Sequence, residues 1–256
     1  MASAPPARKA KPMFHPLVGR TERAMKRRHR AIFISDCHLG SRRANAESLV
    51  SFLDFHEADT WYLVGDIWDV KWLRRMPYWP RSHREATRKL LEKAKTDRVV
   101  FVPGNHDVEY RTKPGKRLGI EVVREAVHVT AENRRVLVVH GDEHTPDVCA
   151  TKASSLAIGA AYVAGVKANA AVAATRKAMG MPHWSLSGAL KRWARPAIKP
   201  LLEYERRLAE DARSRGMDAV VAGHVHLADK RAVHARIDDP NSSVLYMNCG
   251  DWVENN

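Results

Sequence analysis

Ala31-Ile32-Phe33-Ile34-Ser35-Asp36-Cys37-His38 is the stretch from which the rest of the chain can be read. Four consecutive apolar residues form the pattern of a short strand buried on both faces, and the run gives way at once to an aspartate and a histidine. The event recurs. Trp61–Val64 runs into Gly65-Asp66, Val99–Val102 into Gly104-Asn105-His106-Asp107, Val136–Val139 into His140-Gly141-Asp142, and Ala219–Ala222 into Gly223-His224-Val225-His226. A sixth apolar run covers Val244–Met247. Helical stripes fill the gaps: Leu49, Phe52, Leu53 and His56; Ala86, Leu90, Leu91 and Ala94; and Leu201, Tyr204, Leu208 and Ala212, with Gly216 placed to end the last helix. Strands alternating with helices predict a layered α/β domain.

In open α/β sheets, ligands gather beyond the carboxyl ends of the strands, where all five polar clusters fall. Within a strand His224 and His226 would face opposite sides, but beyond Gly223 both can turn inward. The gathered groups Asp36, His38, Asp66, Asn105, His140, His224 and His226 mix oxygen and imidazole donors, a set that suits Mn, Fe, Co or Zn better than Mg or Ca. Seven donors exceed the needs of one ion with open positions. They suit two divalent ions, manganese foremost, sharing the carboxylate of Asp66. Two ions about 3.5–4 Å apart activate water at neutral pH and hold the attacking and leaving oxygens of an in-line displacement at phosphorus. His106 is assigned the catalytic role, stabilising charge on the phosphoryl group or protonating the leaving oxygen. Asp107 and Asp142 are expected to orient histidines.

The chain has 256 residues, 45% of them apolar, and a formal charge of +14, which points to an anionic partner. Part of that charge lies in residues 1–30, read as a disordered basic arm, with residues 31–256 as the folded domain. The arm lacks an apolar core of signal-peptide length, and the three cysteines Cys37, Cys149 and Cys249 have no C-x-x-C spacing; both fit a reducing cytoplasm. All three read as small buried residues, with the Cys37 side chain turned away from its neighbouring ligands. Basic residues outside the arm are interspersed with acids and no nucleic-acid-binding motif is present, so nucleic acid is not the expected partner. The longest apolar tract, Leu156–Val166, is too short to span a bilayer, which leaves peripheral contact with an anionic inner membrane face.

Taken together, D-x-H, G-D, G-N-H-D, H-G-D and G-H-x-H resemble the calcineurin-like metallophosphoesterase superfamily. The resemblance implies a β-sandwich core flanked by helices, with metals at its strand ends. It also implies one ion on Asp36, His38, Asp66 and His226, and a second on Asp66, Asn105, His140 and His224. Gly65-Asp66-Ile67-Trp68-Asp69, Tyr78-Trp79-Pro80 with His83, His140-Gly141-Asp142-Glu143, Trp184-Ser185-Leu186-Ser187 and Asn248-Cys249-Gly250-Asp251-Trp252-Val253-Glu254 are similar to the UDP-2,3-diacylglucosamine hydrolase-like branch. That branch cleaves a lipid-linked sugar nucleotide at its pyrophosphate in the pathway to lipid A. The chain departs from it at His106, where the branch carries arginine, and in His144-Thr145-Pro146-Asp147. The alternatives within this chemistry are a phosphodiesterase, phosphatase or nuclease acting on a soluble substrate; outside it, a non-catalytic metal-binding scaffold.

On the substrate side, Arg74, Arg75, Arg81 and His83 are expected to contact the substrate, while the tryptophans of the same loop are read as packing residues. Residues of about 150–200 form the expected helical lid insertion. There Lys167, Arg176, Lys177, Lys191, Arg192 and Arg195 accompany Leu156, Ile158, Trp184 and Trp193, a composition suited to an anionic lipid surface.

Overall fold

The computed structural model describes residues 26–146, 199–236, 238, 239 and 242–253, together with Thr175 and Met179. Residues 1–25 of the basic arm, Cys149 and the expected lid insertion lie outside the described residues.

Two mixed five-stranded sheets face each other. The first has the order β1 (Arg27–Ile34), β2 (His56–Leu63), β3 (Arg98–Phe101), β5 (Ile120–Val122), β4 (Gly115–Arg117), parallel except for the β4 edge. The second has the order β6 (Ala126–Val129), β7 (Arg135–Val138), β8 (Ala219–Ala222), β10 (Ser243–Asn248), β9 (Asp229–His234), with both edge strands antiparallel. All six predicted apolar runs fall on strands of these sheets. Of the four strands with no counterpart in the prediction, β4, β6 and β9 are edge elements whose exposed positions dilute the apolar pattern, and β5 is buried but only three residues long.

Helices α1 (Ala46–Phe55) and α3 (Arg81–Thr96) cover the outer face of the first sheet, and α4 (Lys199–Ser214) covers that of the second; α2 (Val70–Leu73) is a single turn. Three apolar layers result. Leu49, Leu53, Ala86 and Leu90 pack on Ile32, Ile34, Trp61 and Phe101; Tyr204, Leu208 and Ala212 pack on Leu137, Val220 and Tyr246. Between the sheets lie Tyr62, Val64, Val100, Val102 and Val138, with the Phe33 ring stacked on Tyr62 at 4.8 Å. Alternate residues of β1 thus serve two different cores, which is why its sequence is apolar without a break. Each side chain buried in these layers stabilises the fold by about 1.5–3 kcal/mol.

Two boundaries differ from the sequence reading. The basic arm was drawn to residue 30, but β1 begins at Arg27, where Lys26 and Arg28 pair with Glu57 and Asp59 of β2 at 2.9 and 2.6 Å. His56, placed on the stripe of α1, is instead the first residue of β2, because the chain passes from helix to extended backbone (φ −120°) with no intervening loop. Cys37 is buried in the layer under α1 and α3, on the side away from the polar cluster; Cys249 is half-buried.

Candidate metal centre

Six strands end on the same edge of the sandwich. Asp36 and His38 follow β1, Asp66 and Asp69 follow β2, Asn105 and His106 follow β3, His140 follows β7, His224 and His226 follow β8, and Asp251 follows β10. The backbone there is held in an uncommon shape. Asp36 (φ 52°), His38 (47°), Asp66 (52°), His224 (70°) and His226 (53°) are all left-handed, though none is glycine. A left-handed conformation costs a side-chain-bearing residue on the order of 1–2 kcal/mol, and such costs concentrate where function fixes the geometry. Five instances, all among the seven predicted donors, turn the side chains into one crevice.

The donor atoms come close enough to surround ions. His226 Nε2 lies 3.2 Å from His38 Nε2 and 3.3 Å from Asp36 Oδ1. Asp66 Oδ2 lies 3.8 Å from His38 Nε2 and 3.5 Å from His140 Nε2, so one oxygen faces a histidine of each predicted set, as a shared carboxylate must. Asp36, His38 and His226 form one tight group, Asp36, Asp66 and His140 another, and His38, Asp69 and His106 a third. His224 stands beside these groups. Its ring centroid is 5.4 Å from that of His140, and its Nε2 meets Thr145 Oγ1 at 2.9 Å, leaving Nδ1 for an ion.

Three observations show that the residues fit divalent ions. Asp36, Asp66 and Asp69 are buried carboxylates that, among the described residues, pair with histidines and with no lysine or arginine. Buried charges of this kind are paired or coordinate metals. Asn105 Oδ1 and His140 Nε2 are buried without a hydrogen-bond partner among the described residues. His140 Nδ1 donates to the Val64 carbonyl at 2.9 Å, which fixes the tautomer and turns Nε2 toward Asp66, the arrangement usual for a metal-ligating imidazole. Space is tight: a Cβ on Gly104 would collide with Asp66 Oδ1 and His140 Nε2, so only glycine permits this approach of the β3 loop.

The electrostatics describe a site that attracts positive charge. Burial alone would raise the Asp36 carboxyl, but His226, His140 and His38 hold it well below the usual range. Burial likewise opposes ionisation of Asp66, and His140 outweighs it, bringing the carboxyl down to about 2. Burial disfavours a charge on His140, yet Asp66 and Asp36 raise its pKa to about 10. Asp69, despite burial, is held low by hydrogen bonds to His106 and His38.

The assigned partners divide differently from the sequence reading. Asp107 orients no histidine. Its carboxylate accepts the backbone N–H groups of Gly104 (2.5 Å), Ile67 (2.9 Å) and Asp66 (3.3 Å), clamping the loops that carry Asp66 and Asn105. Burial, and then the nearby Asp66 charge, push Asp107 up to about 7. Asp142 also orients no histidine; it pairs with Arg111, which in turn donates to the Pro103 carbonyl at 3.0 Å and so ties the β7 loop to the β3 loop. The residue that does orient histidines is Asp69. Its Oδ1 meets His106 Nδ1 at 2.9 Å, its Oδ2 lies 3.4 Å from His38 Nδ1, and Oδ1 also caps α2 by accepting the Trp72 N–H at 3.0 Å. Its signal was present in Gly65-Asp66-Ile67-Trp68-Asp69, where the second carboxylate follows the first by three residues.

The residues expected to contact substrate lie apart from the cleft over the centre. A cleft of about 470 Å³ opens over the centre, lined by the site residues His38, Asp69, His106 and His226 together with Ser41, Arg42, Arg43, Trp72 and Val253. Arg74, Arg75, Arg81 and His83 do not line it. Arg74 reaches away to Glu109 at 2.8 Å. Arg75 and Arg81 are exposed on α2's end and at the start of α3. His83 is buried and accepts the Gly40 N–H at 2.9 Å through Nδ1; burial lowers its pKa, keeping that lone pair available. Trp68 packs on Phe101 as a packing residue should, whereas Trp72 is exposed to the cleft.

The calcineurin-like phosphoesterase family (Metallophos) matches residues 29–228, which contain every donor described above. No curated protein matches the chain significantly. Among solved structures the chain is similar to a single mutant of Vps29 from Entamoeba histolytica, at 14% identity over 86% of this chain and 73% of that one, with a TM-score of 0.40. It is similar to the nuclease MPE from Pseudomonas putida at 16% identity over 88% and 78%, TM-score 0.37. It is similar also to the phosphopantetheinyl hydrolase PptH from Mycobacterium tuberculosis at 16% identity over 90% and 91%, TM-score 0.41. These structural likenesses are remote; the family match covers most of the chain and coincides with the crevice, and the protein belongs to the calcineurin-like phosphoesterase family.

Proposed function

We propose that the protein is a dinuclear-metal-dependent phosphoesterase that hydrolyses the pyrophosphate of a lipid- or nucleotide-linked diphosphate, with UDP-2,3-diacylglucosamine as the substrate its sequence resembles most. The observation that carries the reading is the set of buried carboxylates and imidazoles brought together from both sheets on left-handed backbone, the carboxylates paired with no lysine or arginine among the described residues. Asp36, His38, Asp66 and His226 would hold one ion, and Asp66, Asn105, His140 and His224 the other. Ions held there lower the pKa of bound water and neutralise charge on a phosphoryl group.

The chain's own residues supply the rest. Asp69 fixes His106 through Nδ1, which leaves Nε2 for a substrate oxygen in the cleft. As the oxygen of water bonds to phosphorus and the bond to the leaving oxygen breaks, His106 Nε2 gives the departing oxygen its proton. Asp107, bonded to four backbone amides, keeps the two oxygen-bearing loops in place while charge moves.

The test is hydrolysis of UDP-2,3-diacylglucosamine in detergent with Mn²⁺, Zn²⁺ or no metal, beside bis-p-nitrophenyl phosphate. UMP release with Mn²⁺ that disappears in Asp66→Ala supports the reading in full. Turnover of the generic diester alone keeps the phosphoesterase and discards the lipid-linked substrate. Turnover of neither discards both.

A further inference from the structure

We infer that Arg42 is the binding residue for a second, non-reacting phosphoryl group, and that the cleft selects organic diphosphates over monophosphates. The inference rests on the phosphoesterase reading for the position of the reacting phosphoryl group, and on separate observations for the rest.

Arg42 lies four residues after His38 and lines the same cleft as the donors His38 and His226. Among the described residues no carboxylate pairs with it. Its guanidinium is instead stacked over the Tyr78 ring, 4.8 Å from the centroid. A stacked guanidinium keeps its in-plane donors free for an oxyanion, and its position is set before a ligand arrives.

The loop that carries it is fixed from below. Ser41 N–H donates to the His38 carbonyl at 2.9 Å, Gly40 N–H donates to buried His83 at 2.9 Å, and the Leu39 segment bridges to Trp68. Tyr78 and Trp79 in turn set their rings edge-on to His83, at 5.5 and 5.8 Å. Tyr78, Trp79 and His83, which line no part of the cleft, are thereby given a purpose: they support the arginine that does.

A cleft of about 470 Å³ holds more than one phosphate group, being of the size that takes a small organic ligand. With one phosphoryl group on the metal-side donors and His106, a further cation in the lining of the same cleft calls for a second anion bonded to the first. Trp72 and Val253, in the same lining, offer an apolar surface for the organic part. Guanidinium-to-phosphate hydrogen bonds are charge-assisted and often bidentate, so the arginine discriminates strongly between a substrate with the second group and one without.

The test compares binding of α,β-methylene-ADP and of AMP to the full-length protein in Mn²⁺, by calorimetry, for wild type, Arg42→Gln and Arg42→Lys. The expected result is a preference of at least tenfold for α,β-methylene-ADP in wild type, lost in Arg42→Gln and partly restored in Arg42→Lys. Because the readout is a ratio within each variant, a partly inactive preparation does not imitate it. Equal affinity for the two ligands in wild type, no binding of either, or a preference that survives in Arg42→Gln would each overturn the inference. Wild-type hydrolysis of bis-p-nitrophenyl phosphate, measured on the same preparation, separates its fate from that of the phosphoesterase reading: no turnover sinks the reading whatever the ratio shows.

Discussion

The two sheets bring unlike halves to the centre. The first supplies Asp36, Asp66 and Asn105 with a single donor histidine, His38, and adds the Asp69–His106 pair. The second supplies three histidines, His140, His224 and His226, with Asp251 3.9 Å from His226 and Asp142, paired with Arg111, on the β7 loop. The oxygen-rich half gathers three carboxylates that, on its own sheet and among the described residues, meet only His38 and His106, and the imidazole half is poor in the oxygen donors that a hard ion prefers. Contacts already cross the gap: His140 of the second sheet is held by the Val64 carbonyl of the first, and Asp36 of the first accepts the backbone N–H of His224 at 3.0 Å. The centre is therefore a joint between sheets as much as a site, and metal binding must be linked to how firmly the sheets dock.

That linkage can be broken most severely at the shared carboxylate. Asp66→Ala is expected to reduce hydrolysis to background and to lower the metal content by at least one ion per chain, measured by elemental analysis of the dialysed protein. Full metal content in that variant would mean that Asp66 joins nothing. Asp69→Asn comes next. It removes the carboxylate that orients His38 and His106, so metal affinity should fall about 10–100-fold, read from a Mn²⁺ titration.

Removing the metal with a chelator tests the joint itself. At an ion concentration 100 times Kd, binding to the folded state contributes about 2.7 kcal/mol, and in a chain of this size that corresponds to a melting shift of about 5–10 °C. An unchanged melting temperature would show that the sheets dock without help from the centre. Arg111→Met sharpens the comparison without touching a donor, since Arg111 joins the β3 loop of one sheet to Asp142 in the β7 loop of the other. Leaving Asp142 without its cation should cost about 1–3 kcal/mol in denaturant unfolding, and Asp142→Asn in the same chain should recover part of it. The smallest effect is expected on the outer face of the first sheet's helix layer. Arg88, paired with Glu85 and Glu92 on exposed α3, should change stability by less than about 0.5 kcal/mol as Arg88→Ala.

Much of this was legible in the chain because the local signals were unmixed. Val99–Val102 and Ala219–Ala222 are buried on both faces, so their apolar runs have no interruption to misread. Residues such as Asp36 and Asn105 follow those runs directly, so strand ends located the donors. The short strand β4, fully exposed, and β6, only partly buried, carried no such signal. Arg74 and Arg75 were legible as cations but not as to direction: the one-turn helix α2, capped by Asp69, presents Trp72 to the cleft while Arg74 reaches out to Glu109. Arg42 and Arg111 sit in loops whose sequence gives no periodicity, and their roles depend on Tyr78 and Asp142, distant in the chain.

By itself, then, the sequence determined the six apolar strands, the order of their donor-bearing ends and the type of ion those donors suit, because burial and the chemistry of carboxylate and imidazole are properties of short segments. The tertiary structure decided which donors share an ion's neighbourhood, which aspartate orients a histidine and which arginine faces the cleft. Those are matters of a few ångströms between residues up to about two hundred positions apart, set by how two sheets pack through Phe33, Tyr62 and Val138, and no local pattern encodes them.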